Sequence, residues 1–168
     1  MLSFKFTGYP LRDEQSALVA IRDCLANWKN FWAWEAFPAG STQREAVHTI
    51  AKCYEIACNI YIKRATTELS ECPTQYAALE DLILLLQEVP SHTKGAFALT
   101  WVCYMAAAEA DDPEQRKFFI DYLNDVHLLT RYENIAVCVK IVQKIWMMKG
   151  ERRWTACFAE LSKGFAFS

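Results

Sequence analysis

The sequence predicts an all-α protein, a single irregular bundle of about seven helices around a central apolar helix near 97–110. Three observations lead there. Apolar residues recur at spacings of three and four through most of the chain, the period of a helix face and not of a strand. Five glycines and five prolines in 168 residues leave few breaks, which disfavours turn-dense sandwiches, collagen-like repeats and disordered tails. Hydrophobic residues make up 53% of the chain, and Trp 6, Tyr 7 and Phe 10 supply enough bulk for one core without metal or disulfides.

The elements follow in order from these spacings. After an N-terminal arm, 1–10, a helix over Leu11 to Ala36 carries Leu18, Ile21, Leu25, Trp28 and Trp32 on one face and ends before Pro38 and Gly40. Thr42 with Glu45 forms a capping-box pattern at the start of a second helix, which holds apolar phase from Val47 to Leu69. Pro73 suits the first turn of a third, running through Leu79, Leu82 and Leu86 to Pro90. A polar hinge, 91–95, divides the first helical part (11–89) from the second (96–168) within one domain, 1–168. The segment Phe97 to Ala110 is apolar almost all round, as in a helix surrounded by others. Asp112, Pro113 and Gln115 supply an N-cap, a first-turn proline and a capping-box partner for a helix over Pro113 to Thr130, facing inward through Phe118, Phe119, Tyr122 and Val126. Asn134 caps a sixth helix with Ile135, Cys138, Val139, Val142, Ile145 and Trp146 as its stripe, and Gly150 takes a left-handed turn after it. A short last helix, Glu151 to Ser162, carries Trp154, Phe158 and Leu161.

Composition excludes several functions. Seven cysteines, scattered singly with no Cys-x-x-Cys pair, read as reduced thiols, and no signal sequence precedes them, so the expected compartment is intracellular. The longest apolar run, Ala96 to Ala108, is too short to span a bilayer. With 18 Lys+Arg against 20 Asp+Glu, the net charge of −2 provides no basic stripe for phosphate, so neither membrane nor direct nucleic-acid binding is expected. One Glu-x-x-His step, Glu45 to His48, has no second copy to make a di-iron site, and Asp111-Asp112 is explained by capping. No nucleophile elbow, P-loop or dinucleotide fingerprint occurs, so no catalytic residue, metal or cofactor is named.

Two aromatic groups remain as candidates. Trp101, Tyr104 and Met105, with Trp146 and Trp154, could line a pocket for an apolar small-molecule effector, although a packed core uses the same residues. Trp28, Phe31, Trp32, Trp34 and Phe37 spread over more than one face of the first helix and are expected at a homodimer contact. The competing reading has this cluster close over the last helix and Phe165.

From Leu99 onward the motifs Leu99-Thr100-Trp101, Ala106-Ala107-Ala108-Glu109, Pro113-Glu114-Gln115-Arg116-Lys117-Phe118-Phe119, Ile145-Trp146 and Trp154 occur in that order. In these the chain resembles the C-terminal part of the helical regulatory domain, or middle homology region, of fungal zinc-cluster transcription factors. Val102 stands where that family usually has proline, and the six-cysteine zinc cluster that reads DNA has no counterpart here. The resemblance implies a nuclear effector-response or interaction domain that lacks its own DNA reader, either part of a larger regulator or a short product. A stand-alone helical dimerisation protein, and a cofactor-free small-molecule enzyme of fungal secondary metabolism, stay open beside it.

Overall fold

A computed structural model describes residues 15, 18–23, 38, 40–67, 73–89, 91, 96–148 and 150–161. Among them the chain is helical throughout, with no strand. A first helical stretch, α1 (18–23), is followed by α2 (Thr42–Thr66), α3 (Tyr76–Gln87), a 3-10 turn (Ala96–Leu99), α4 (Thr100–Glu109), α5 (Pro113–Thr130), α6 (Glu133–Met148) and α7 (Trp154–Leu161). The all-α bundle expected from periodicity is what the chain forms.

Helix α4 is the axis. It packs on α2, α5 and α6, while α3 lies on α2 and α7 is held between α2 and α6. Every residue from Val102 to Ala110 is buried, because the helix has no polar face to offer water until Glu109. The expected start of this element needs a correction. Phe97 belongs to the preceding 3-10 turn and is 51% exposed, since a tighter three-residue repeat turns it away from the side that buries Ala96 and Leu99. One continuous cluster of buried apolar side chains runs from Leu18 and Ile21 of α1 through α2, α3 and α4 to Trp154 and Phe158 of α7.

The helix ends show how local chemistry set the boundaries. The α2 cap is Ser41, whose side chain accepts from the Arg44 amide at 3.2 Å; Thr42 is already helical, so the expected Thr42–Glu45 box is displaced by one residue. Pro73 precedes α3 instead of opening it, and the helix starts at Tyr76. Asp112 caps α5 as expected, accepting from the Gln115 amide at 2.9 Å, but Gln115 Oε1 stays buried without a partner, so the reciprocal half of the box is unmade. Helix α5 stops where Arg131 adopts the left-handed conformation (φ 59°), and α6 begins at Glu133, which puts Asn134 inside the helix and not at its cap. Gly150, at φ 99°, takes the left-handed turn its position predicts.

Candidate functional site

The sequence-named aromatic set has distinct protein neighbours. Trp101 is half-buried and stacks on Tyr54, with ring centroids 5.9 Å apart and planes within 5°. Tyr104 is fully buried and its ring lies 4.9 Å from that of Phe158, while Met105 is fully buried beside it in α4. Trp146, on α6, donates its indole N–H to the Ala107 carbonyl at 2.8 Å and lies under the Arg116 guanidinium, 4.7 Å from the ring centroid. Together with Arg116 Nε, which donates to the Ala110 carbonyl at 2.9 Å, it satisfies two of the acceptors that the end of α4 leaves open. Trp28, Phe31, Trp32, Trp34 and Phe37 lie outside the described residues. Glu45 and His48 are both exposed on the first turns of α2.

A buried ionic centre escaped the sequence reading. Glu109 is wholly buried at the last residue of α4, and Arg64, near the end of α2, has a side chain only 5% exposed. Arg64 grips the carboxylate in fork geometry, Nε to Oε2 at 2.9 Å and the terminal nitrogen to Oε1 at 2.6 Å. The Trp154 indole N–H donates to Oε2 at 2.7 Å and the Gln75 amide to Oε1 at 3.1 Å. One carboxylate thereby joins α2, the start of α3, α4 and α7. Around it, Arg153 donates to the Ala65 carbonyl at 2.8 Å, Gln75 Nε2 to the Ile60 carbonyl at 3.2 Å, and the Thr74 hydroxyl to Asp111. The available signal was Glu109 itself: a lone carboxylate ending an otherwise apolar helix must find a donor set or stay out of the core.

Burial holds three of the described thiols protonated. Cys53, Cys58, Cys103, Cys138 and Cys157 are free and buried. Burial pushes the Cys53 thiol up to about 12, with the nearby Glu88 carboxylate adding to the effect, and burial likewise raises Cys138 to about 12. Burial raises Cys103 as well, and the Tyr54 and Tyr122 hydroxyls move in the same direction for the same reason. None of the three shifted thiols is a nucleophile near neutral pH. An acid whose folded pKa lies above its unfolded value leaves stability undiminished below the unfolded value, and stability falls as pH rises toward the folded one. Urea midpoints should therefore hold up to about pH 8 and decline between about pH 9 and 12. A midpoint unchanged at pH 10.5 would contradict this.

On the surface, Tyr76, Glu80, Ile83 and Leu84 of α3 face Asp112 and Gln115 at the start of α5 across an open groove. No described helix is long and apolar enough to cross a membrane. In comparisons with known proteins, the family model described as fungal specific transcription factor domain matches residues 11–168, a wider span than the C-terminal motifs that first carried the resemblance. No curated protein and no solved structure matches the chain.

Proposed function

We propose a function from one premise: this chain belongs to the fungal specific transcription factor domain family. The match over residues 11–168 carries the reading, because it takes in every described helix and not a single motif. Its role is in transcription regulation. The finer proposal is an effector-response and interaction domain, working in the nucleus, that passes a signal to a DNA-reading module outside these helices. Thiol chemistry gains no support, since the shifted thiols are held protonated, and Tyr104 and Met105 are enclosed. An apolar effector would have to reach Trp101 or Trp146, which keep part of their surface. Self-association through Trp28, Phe31, Trp32, Trp34 and Phe37 belongs to the same proposal, and light scattering across micromolar concentrations reads it directly.

The division of labour is tested by a mobility-shift assay on the purified chain at moderate salt. The net charge of −2 predicts no sequence-specific retention. Specific retention at nanomolar protein would place DNA reading within these helices and overturn the proposal.

A further inference from the structure

Between Pro73 and Val89 the charged residues are Glu80, Asp81 and Glu88, and none is a cation. Glu88 turns toward α2, where the Thr49 hydroxyl donates to it at 3.1 Å. Glu80 instead lines the groove beside Tyr76, Ile83 and Leu84, opposite Asp112 and Gln115. The cations that follow on α5 are engaged elsewhere: Arg116 lies over Trp146 and 3.5 Å from Asp111, and Lys117 pairs with Asp121 at 2.5 Å. The groove is thus an apolar strip edged by carboxylates, without a matched positive charge among the described residues.

A further observation points to an occupant. Tyr76 and Leu84 are 49% and 63% exposed on one face of α3, eight residues and so about 12 Å apart along the axis. That is close to the spacing of anchors one heptad apart on a docked helix. Carboxylates at the edge repel phosphate, which disfavours nucleic acid, and they attract an ammonium or guanidinium.

We propose that the groove between α3 and the start of α5 docks a partner helix whose apolar face is flanked by lysine or arginine. Its apolar residues cover Tyr76, Ile83 and Leu84, and its cations meet Glu80 and Asp112. This rests on reading the chain as a regulator's interaction domain and narrows it to one surface and one partner chemistry.

The test uses the full chain and two labelled probes, a two-heptad synthetic helix of leucine and lysine and its leucine–glutamate counterpart, followed by fluorescence anisotropy. The lysine peptide should bind and the glutamate peptide should not. Glu80→Lys and Leu84→Ser should each weaken binding by about fivefold or more, while Leu128→Ser, on a different exposed patch, leaves it unchanged. Equal binding of both peptides, or affinity unaltered by Glu80→Lys and Leu84→Ser, overturns the proposal. So does light scattering in which Leu84→Ser dissolves a dimer of the free chain, since a second copy would then fill the groove. Should Leu84→Ser lose helicity, Glu80→Lys decides alone, and retained affinity in it overturns the proposal. Transcriptional output of the tethered chain is a separate readout. A groove that takes no peptide while output persists removes the docking site and leaves the regulatory reading standing.

Discussion

Replacing Glu109 by Gln should destabilise the fold by about 3–5 kcal/mol, the cost of leaving a buried charge without its counter-ion. The substitution keeps size and shape, so the loss is electrostatic. Each carboxylate oxygen now faces two donors, Oε1 the Arg64 terminal nitrogen and the Gln75 amide, Oε2 the Arg64 Nε and the Trp154 indole. A Gln side chain turns one of those oxygens into an NH2 group, so two donors must face a third. Arg64, at 5% side-chain exposure, gains little relief from water. Melting should fall on the order of 10 °C for a chain of this size. Urea unfolding shows the total. A shift below about 1 kcal/mol would mean that water reaches the pair and that it joins the four helices only in appearance.

The second large effect contrasts two phenylalanines that sequence reading treated alike. Phe119→Ala should cost about 3–5 kcal/mol, because the ring is fully buried on α5 and its removal leaves a void that packed neighbours cannot fill. Its edge contact with Phe118, at 5.5 Å between centroids, goes with it. Phe97→Ala should cost less than about 1 kcal/mol, since half of that ring is already in water. Chemical denaturation of both variants checks the pair. Equal losses would mean that the 3-10 turn presses Phe97 into the core, against the burial described.

What the sequence made legible was governed by local chemistry. Helix α5 runs over Pro113–Thr130, the range expected, because Asp112 and Pro113 fix its start within one turn. Its end was harder to foresee, since Arg131 takes a left-handed conformation for which glycine or asparagine is the usual sign. The burial of α4 was legible from its lack of a polar face, and the family from short motifs between Leu99 and Trp154. The Glu109 centre was not. Its cation stands 45 residues earlier on α2 and its indole donor 45 residues later on α7, and nothing in helical periodicity links positions so far apart. The groove was hidden for the same reason, since it exists only once α3 and α5 face each other. Asn134 and Thr42 illustrate the ordinary limit of cap prediction: a suitable residue at the boundary loses to a neighbour one position away, or to a helix that starts earlier.

As proposed above, this helical unit regulates transcription through contacts other than its own grip on DNA. The most direct measurement fuses the full chain to an unrelated DNA-binding module in a fungal host and reads a reporter carrying that module's site. A several-fold change in output, up or down, relative to the module alone is expected, and the same change reduced in Glu109→Gln, which destabilises the fold. Output indistinguishable from the module alone, with the fusion shown by immunoblot to be intact and in the nucleus, would contradict it.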